Sequence, residues 1–135
     1  MSNGAYVKTN GDVLNVRSTP NGKVVDSLPN GTLVEVLGNT VSAGGFNWIQ
    51  ISPNRWIASE YLVYAMYVAY VRTNGDVLNV RSTPNGKVID SLPNGKQVYV
   101  FSDPIATGGF NWVEIGLNRY TASEYLAYAD SVGSN

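Results

Sequence analysis

Any chemistry in this chain has to be done without histidine or cysteine, because it contains neither. That removes the imidazole base, the thiol nucleophile, disulfide crosslinks and zinc sites of the usual ligand types. Carboxylates, hydroxyls and lysine remain. Paired Asp or Glu side chains can hydrolyse a glycoside when their carboxyls stand about 5 to 9.5 Å apart across a cleft. The candidates are Asp12, Asp26, Glu35 and Glu60, followed by Asp76, Asp90, Glu114 and Glu124. Asp12 follows Asn10-Gly11 in a turn, and Glu60 sits in Ser59-Glu60-Tyr61, where a side chain can cap backbone amides. These carboxylates read as structural, so no catalytic residue is assigned and an enzyme is not expected. Asn10-Gly11-Asp12 offers oxygen ligands but lacks the D-x-D spacing and distal Glu of a calcium loop, so neither metal nor cofactor is expected.

Binding chemistry is better represented. Arg17 and Arg81 close the two Leu-Asn-Val-Arg strings, where a guanidinium can clamp a ligand carboxylate or tie its own loop to backbone carbonyls or a local Asp. Nine tyrosines, three tryptophans and three phenylalanines supply apolar faces, many with a polar tip and little entropy to lose on binding. Aromatics at the rim of a small barrel can stack on sugar rings or hold extended peptides. The candidates are Tyr6, Trp48, Trp56 and Tyr61, with Tyr70, Trp112, Tyr120 and Tyr125. Trp48 and Trp112, followed by Ile and Val, read equally as core plugs, and Phe46 and Phe110, just after Gly-Gly, as loop-tip contacts or strand starts.

Charge narrows the partners. Nine Lys and Arg against ten Asp and Glu give a net charge of −1, without the basic excess that supplies phosphate-backbone affinity, so nucleic acid is not expected. The first residues, MSNGAYVKTNGDVLNV, lack the apolar core of a signal peptide, and no run of about 18 apolar residues could span a bilayer. The expectation is a chain with no membrane segment, made in the cytoplasm, whose place of action is there, at a cell wall or in a virion.

The elements that must position these residues come twice. Sliding the chain by 64 positions sets Tyr6 to Ala65 over Tyr70 to Ala129 without a gap, and 41 of the 60 pairs are identical. This gives one unit over 6–65 and a second over 66–129, with tails at 1–5 and 130–135. Residues 63–70 form an apolar, aromatic junction with no Gly, Pro, Ser or charge, unlike a flexible linker. It predicts units packed on one another through Tyr64, Met66 and Tyr67, and equally a last strand running into a first.

Within each unit, turn signals recur every 8 to 12 residues: Asn10-Gly11-Asp12, Pro20-Asn21-Gly22, Pro29-Asn30-Gly31, Gly44-Gly45 and Pro53-Asn54. Between them lie short period-two runs such as Val13–Arg17, Leu33–Leu37 and Trp48–Ile51. The pattern predicts an all-β fold of two small, highly bent barrels or sandwiches. Val34 and Val36 recur as Val98 and Val100, whereas Leu33, Glu35 and Leu37 become Gln97, Tyr99 and Phe101. The valines are therefore expected inside. Leu33, Leu37, Tyr99 and Phe101 are expected outside, as candidates for contact between units or with a partner.

Gly11-Asp12-Val13-Leu14-Asn15-Val16-Arg17-Ser18-Thr19-Pro20, then Val24 to Leu28, Pro29-Asn30-Gly31, a valine strand, Trp48-Ile49-Gln50-Ile51 and Trp56-Ile57-Ala58-Ser59-Glu60-Tyr61-Leu62 resemble a bacterial SH3 (SH3b) domain. The same string runs from Gly75 to Leu126. Both copies depart from the Gly-Trp usual before the last strand, with Arg55-Trp56 and Arg119-Tyr120. The resemblance implies tandem SH3-like barrels of five to six strands, with a short 3₁₀ turn near Ser59-Glu60-Tyr61. It also implies a binding or targeting module of the kind attached to cell-wall peptidases. The expected partner is thus a repetitive peptidoglycan peptide or glycan. The alternatives are a structural protein of a larger assembly such as a phage virion, and an intracellular adaptor for extended peptides.

Overall fold

The computed structural model of the protein describes residues 3–131. The chain divides into two units, one spanning Asn3–Tyr64 and the other beginning at Ala65. The first contains β1 (Gly4–Val7), β2 (Leu14–Arg17), β3 (Val24–Leu28), β4 (Leu33–Glu35), β5 (Leu37–Ala43), β6 (Phe46–Ser52), β7 (Arg55–Ala58), a 3₁₀ turn (Ser59–Tyr61) and β8 (Leu62–Tyr64). The second repeats it with β9 (Tyr67–Val71), β10 (Leu78–Arg81), β11 (Val88–Leu92), β12 (Gln97–Val100), β13 (Ile105–Thr107), β14 (Phe110–Gly116), β15 (Arg119–Ala122), a 3₁₀ turn (Ser123–Tyr125) and β16 (Leu126–Ser131). The apolar junction is two strands separated by Ala65 and Met66. Among the described residues, no helix is long and apolar enough to cross a membrane.

Each unit wraps a three-stranded sheet over a five-stranded one. The orders are β4-β1-β8 and β3-β2-β7-β6-β5, then β12-β9-β16 and β11-β10-β15-β14-β13. The fold is all-β and SH3-like, as expected, with the 3₁₀ turn placed before the last strand. Eight short strands stand where five or six were expected, because sharp bends cut the ladders. Val36 alone separates β4 from β5, and register slips occur between Val16 and Arg17 and between Gln50 and Ser52.

Alternation assigns the faces. Leu14 and Val16 of β2, Ile49 and Ile51 of β6, and Ile57 of β7 point inward with Val7, Leu28, Val34, Val36 and Leu62. The second core gathers Ala69, Val71, Leu78, Val80, Leu92, Val98, Val100, Val113, Ile115 and Leu126. Each fully buried Val or Ile contributes about 1.5–3 kcal/mol of burial. Thr121 stands where the first unit has Ile57, and it too is fully buried. Its hydroxyl donates to the Asn79 carbonyl at 3.1 Å, which satisfies the group the substitution brought inside.

The inside and outside expected for Leu33–Leu37 and its repeat hold at the valines and in part outside. Leu33 is 52% exposed and Leu37 is also exposed. Tyr99 is half-buried, and Phe101 is a correction, since it is buried with its ring 6.5 Å from that of Tyr99. β12 ends at Val100, and the Phe101 amide turns aside to donate to the Glu114 carbonyl at 2.9 Å, so period two no longer sets its direction. Tyr64 and Met66 are exposed, and Tyr67 packs on the second core with Tyr128 edge-on at 5.8 Å.

Candidate binding clefts

The residues not used by the core are the outer face of the five-stranded sheet. Trp48 pairs with Ala58, Gln50 with Trp56, and Arg17 with Trp56, so Arg17, Trp48 and Ala58 all turn away from the barrel interior. Trp48 is 4% exposed and Trp112 3%, yet neither belongs to its unit's core. Each is instead sealed on the outside by its neighbours. The Trp48 indole donates to the Ala43 carbonyl at 2.8 Å, Phe46 meets it edge-on at 5.8 Å, and the Arg17 guanidinium carbon lies 5.4 Å from its ring centroid. Arg17 also donates from Nη1 to the Gly22 carbonyl at 2.8 Å, while its Nε is buried with no partner. Of the two uses foreseen for this arginine, the tie to its own loop is present.

Around this indole opens a cleft of about 260 Å³. Trp48 and Ala58 form its floor, and Leu14 lines it although its side chain belongs to the core. Val13, Asn15, Phe46 and Tyr61 are its walls, with Thr9, Asp12 and Arg17 completing it. Local structure explains how they converge. Gly44 and Gly45, at φ 60° and 89°, make the two-residue turn that a β5–β6 hairpin requires, and Phe46 follows it directly. A Cβ on Gly44 would stand 2.3 Å from Nδ2 of Asn21, so the hairpin tip closes against the loop that Arg17 holds. Glu60 accepts the Asn47 amide at 2.9 Å and fixes the 3₁₀ turn that carries Tyr61. The Thr9 amide donates to Oδ1 of Asn30 at 2.9 Å, and its hydroxyl to the Asp12 carbonyl, which folds the turn between β1 and β2 over the edge.

The second unit builds the same cleft, about 280 Å³, from Trp112 and Ala122 below and Val77, Asn79, Phe110 and Tyr125 around, with Thr73, Asp76, Leu78 and Arg81. Arg81 stands 5.4 Å from the Trp112 centroid and donates to the Gly86 carbonyl at 2.7 Å. All ten lining positions carry the same residue in both units, although 19 of the 60 aligned pairs differ.

Of the residues picked from sequence, Arg17, Trp48 and Tyr61 meet in one cleft and Arg81, Trp112 and Tyr125 in the other. Tyr6 does not reach a rim: it is 2% exposed, whereas its counterpart Tyr70 is 43% exposed on β9. Trp56 and Tyr120 lie outside the clefts, next to Arg17 and Arg81 in register. Burial, with the Glu114 carboxylate adding to it, pushes the Tyr120 phenol above its ordinary value. Phe46 and Phe110 were not among the candidates. The signal was there, because each precedes its tryptophan by two positions and so shares its face.

The remaining carboxylates hold structure. Asp26 pairs with Arg55 at 2.9 Å and Asp90 with Arg119 at 2.8 Å, both on the surface. Asp26 lies below the usual carboxylate range because the Ser27 amide donates to it and Arg55 adds to the effect; for Asp90 the order is Arg119, then Ser91.

Residues 12–63 match the model of the bacterial SH3 domain family. The first unit is a bacterial SH3 domain. The second, with 41 of 60 aligned residues and the strand order in common, makes the chain a tandem of that SH3 fold. The match runs from Asp12 to Val63, so it takes in every cleft residue except Thr9. None of the curated proteins matches the chain. Among solved structures, the SH3 tandem is similar to the endolysin LysPBC5 CBD at 16% identity and TM-score 0.40, covering 95% of this chain and 94% of that one. It is also similar to NlpC1 from Trichomonas vaginalis, at 17% identity and TM-score 0.41, and to NlpC2 from the same organism, at 19% and 0.38. Those alignments cover 96% of this chain, which spans about half the length of either one, 46% and 49%.

Proposed function

We propose that this tandem is a non-catalytic binding module that engages bacterial cell-wall peptidoglycan, or a similar repetitive surface glycopeptide, through the two clefts. The observation that carries this reading is the identity of the ten lining residues in both units. Val13, Phe46 and Tyr61 are exposed, as are Val77, Phe110 and Tyr125, and folding alone gives no reason to keep exposed apolar side chains unchanged. A polymer that repeats one chemical motif is the ligand for which two like sites help. A second weak site held at high effective concentration can raise avidity by about 10² to 10⁴ when both engage. The bacterial SH3 family, with its implied role beside wall peptidases, points to the same partner.

Cosedimentation with purified sacculi is the direct test. The wild-type chain is expected in the pellet, and the chain with Phe46→Ala and Phe110→Ala in the supernatant. A wild-type chain that stays in solution with sacculi from both Gram-positive and Gram-negative cells overturns the reading. Exposed Leu33, Leu37 and Val41 along β4 and β5 favour a second reading, a subunit of a larger assembly. Light scattering over a concentration series separates the two, since an assembly subunit grows in mass with concentration and a wall-binding monomer does not.

A further inference from the structure

We infer that each cleft takes a positively charged amino group, either the free amino end or a lysine-like side chain of an extended peptide. This rests on the reading of the clefts as the ligand sites and adds the charge of what enters. The two charged groups of the first cleft differ in how far they are already engaged. Arg17 has Nη1 on the Gly22 carbonyl, Nε buried, and its guanidinium carbon 5.4 Å from the Trp48 ring centroid. A bidentate clamp on a ligand carboxylate needs two outward nitrogens, and at most Nη2 is left.

Asp12 is the opposite case. Its backbone carbonyl accepts the Thr9 hydroxyl, but among the described residues nothing donates to its carboxylate, and the residue is exposed at the cleft edge. Asp26 and Glu60, by contrast, are held by Arg55 and Asn47. Across the cleft, Phe46 and Tyr61 stand 6.4 Å apart with tilted, exposed rings. An aromatic face draws a cation toward it, and a carboxylate beside that face fixes where the cation's N–H donors point. The second cleft reproduces the arrangement with Asp76, Phe110 and Tyr125, the rings 6.2 Å apart. A free carboxylate and two open aromatic rings select an ammonium group over a neutral or anionic one.

The three indole N–H signals of the full chain provide the test, since Trp48 and Trp112 sit in the clefts and Trp56 lies outside them. The probes are alanyl-alanyl-lysine amide, the same peptide with both amines acetylated, and N-acetyl-alanyl-alanine with its free carboxylate. The amine peptide is expected to shift Trp48 and Trp112 and leave Trp56 in place, while neither acetylated peptide shifts any of them. Asp12→Asn with Asp76→Asn is expected to weaken the amine peptide about tenfold, as loss of a charge-assisted contact does. The same spectrum reports whether that variant is folded. Equal shifts from the amine peptide and its acetylated form overturn the inference and leave the clefts as ligand sites. Shifts from the carboxylate peptide alone overturn it in favour of an anion. If no peptide moves Trp48 or Trp112, the amine inference fails, and cosedimentation of the Phe46→Ala, Phe110→Ala chain decides the cleft reading separately.

Discussion

Arg17 covers Trp48: its guanidinium carbon is 5.4 Å from the ring centroid while Nη1 donates at 2.8 Å to the Gly22 carbonyl, five residues on. One side chain thus roofs the cleft floor and pins the loop beside it. Arg17→Ala is expected to cost about 1–3 kcal/mol, from the lost cation–π contact and the orphaned carbonyl. Arg17→Lys should recover only part of that, because a compact ammonium cannot reach the indole and the Gly22 carbonyl at once as the broad guanidinium does. Denaturant midpoints of the two variants test this. An alanine variant within a few tenths of a kcal/mol of wild type would mean that the contact carries no stability.

Phe46 and Trp56 separate binding from folding. Phe46→Ala removes a cleft wall that also covers Trp48, so with Phe110→Ala it should lower the melting temperature but leave the chain folded, while sacculus binding drops at least tenfold. Trp56→Ala lies outside the cleft and should leave binding intact. Equal loss of binding in both variants would mean that the ligand runs along the same face of the sheet beyond the cleft, over Trp56.

Acid should loosen both units through Asp26 and Asp90. Their carboxyls lie below the ordinary 3.8 in the folded chain. A depressed folded value contributes stability that is complete above the unfolded value and is lost as pH falls through the folded one. The melting temperature of wild type should therefore fall more between pH 6 and pH 3 than that of Asp26→Asn with Asp90→Asn. Because the ion pairs are on the surface, 1 M salt should narrow the gap. Parallel pH profiles would show that other carboxylates govern the acid limb.

Adjacent glycines should respond differently to one methyl group. At Gly44, with φ 60°, a Cβ would collide with the Asn21 side chain, whereas at Gly45, with φ 89°, it would meet nothing within 4 Å. Both Ala variants carry backbone strain of about 1–3 kcal/mol. Only Gly44→Ala should also disturb the Trp48 indole signal, through displacement of the hairpin tip. Identical melting temperatures and spectra for the two would show that Asn21 yields without consequence.

Turn chemistry and period two made much of this legible from residues alone. Pro20-Asn21-Gly22 and Gly44-Gly45 carry their conformational demands in their residue types, and the constancy of Val34 and Val36 beside changing neighbours placed those valines inside. Phe101 was not legible, because burial past the end of a strand depends on how the chain leaves the ladder; nor was Tyr6, which is paired within β1 and buried while the same residue type at Tyr70 is exposed, so type and strand position do not fix its burial. Trp48 was ambiguous for a different reason. A tryptophan can be buried on the outer face of a sheet when a cation and an edge-on ring cover it, and the cation, Arg17, is far from Trp48 in sequence. The cleft was missed as a unit because its members come from the β1–β2 turn, β2, β6, β7 and the 3₁₀ turn.

The exchange of Ile57 for Thr121 dates the two halves against each other. Both positions are fully buried, and so are those of Ile49 and Val113, yet they have diverged, the threonine acquiring a hydrogen bond to Asn79 on the way. Interiors usually resist change longest after a gene segment doubles, because every methylene there is felt. Here the first core keeps eight of its ten residues in the second unit, whereas the cleft lining keeps all ten, the wetted rings of Phe46 and Tyr61 passing intact to Phe110 and Tyr125. The cleft has thus been inherited as strictly as the core, which a copy kept only as ballast for folding would not require.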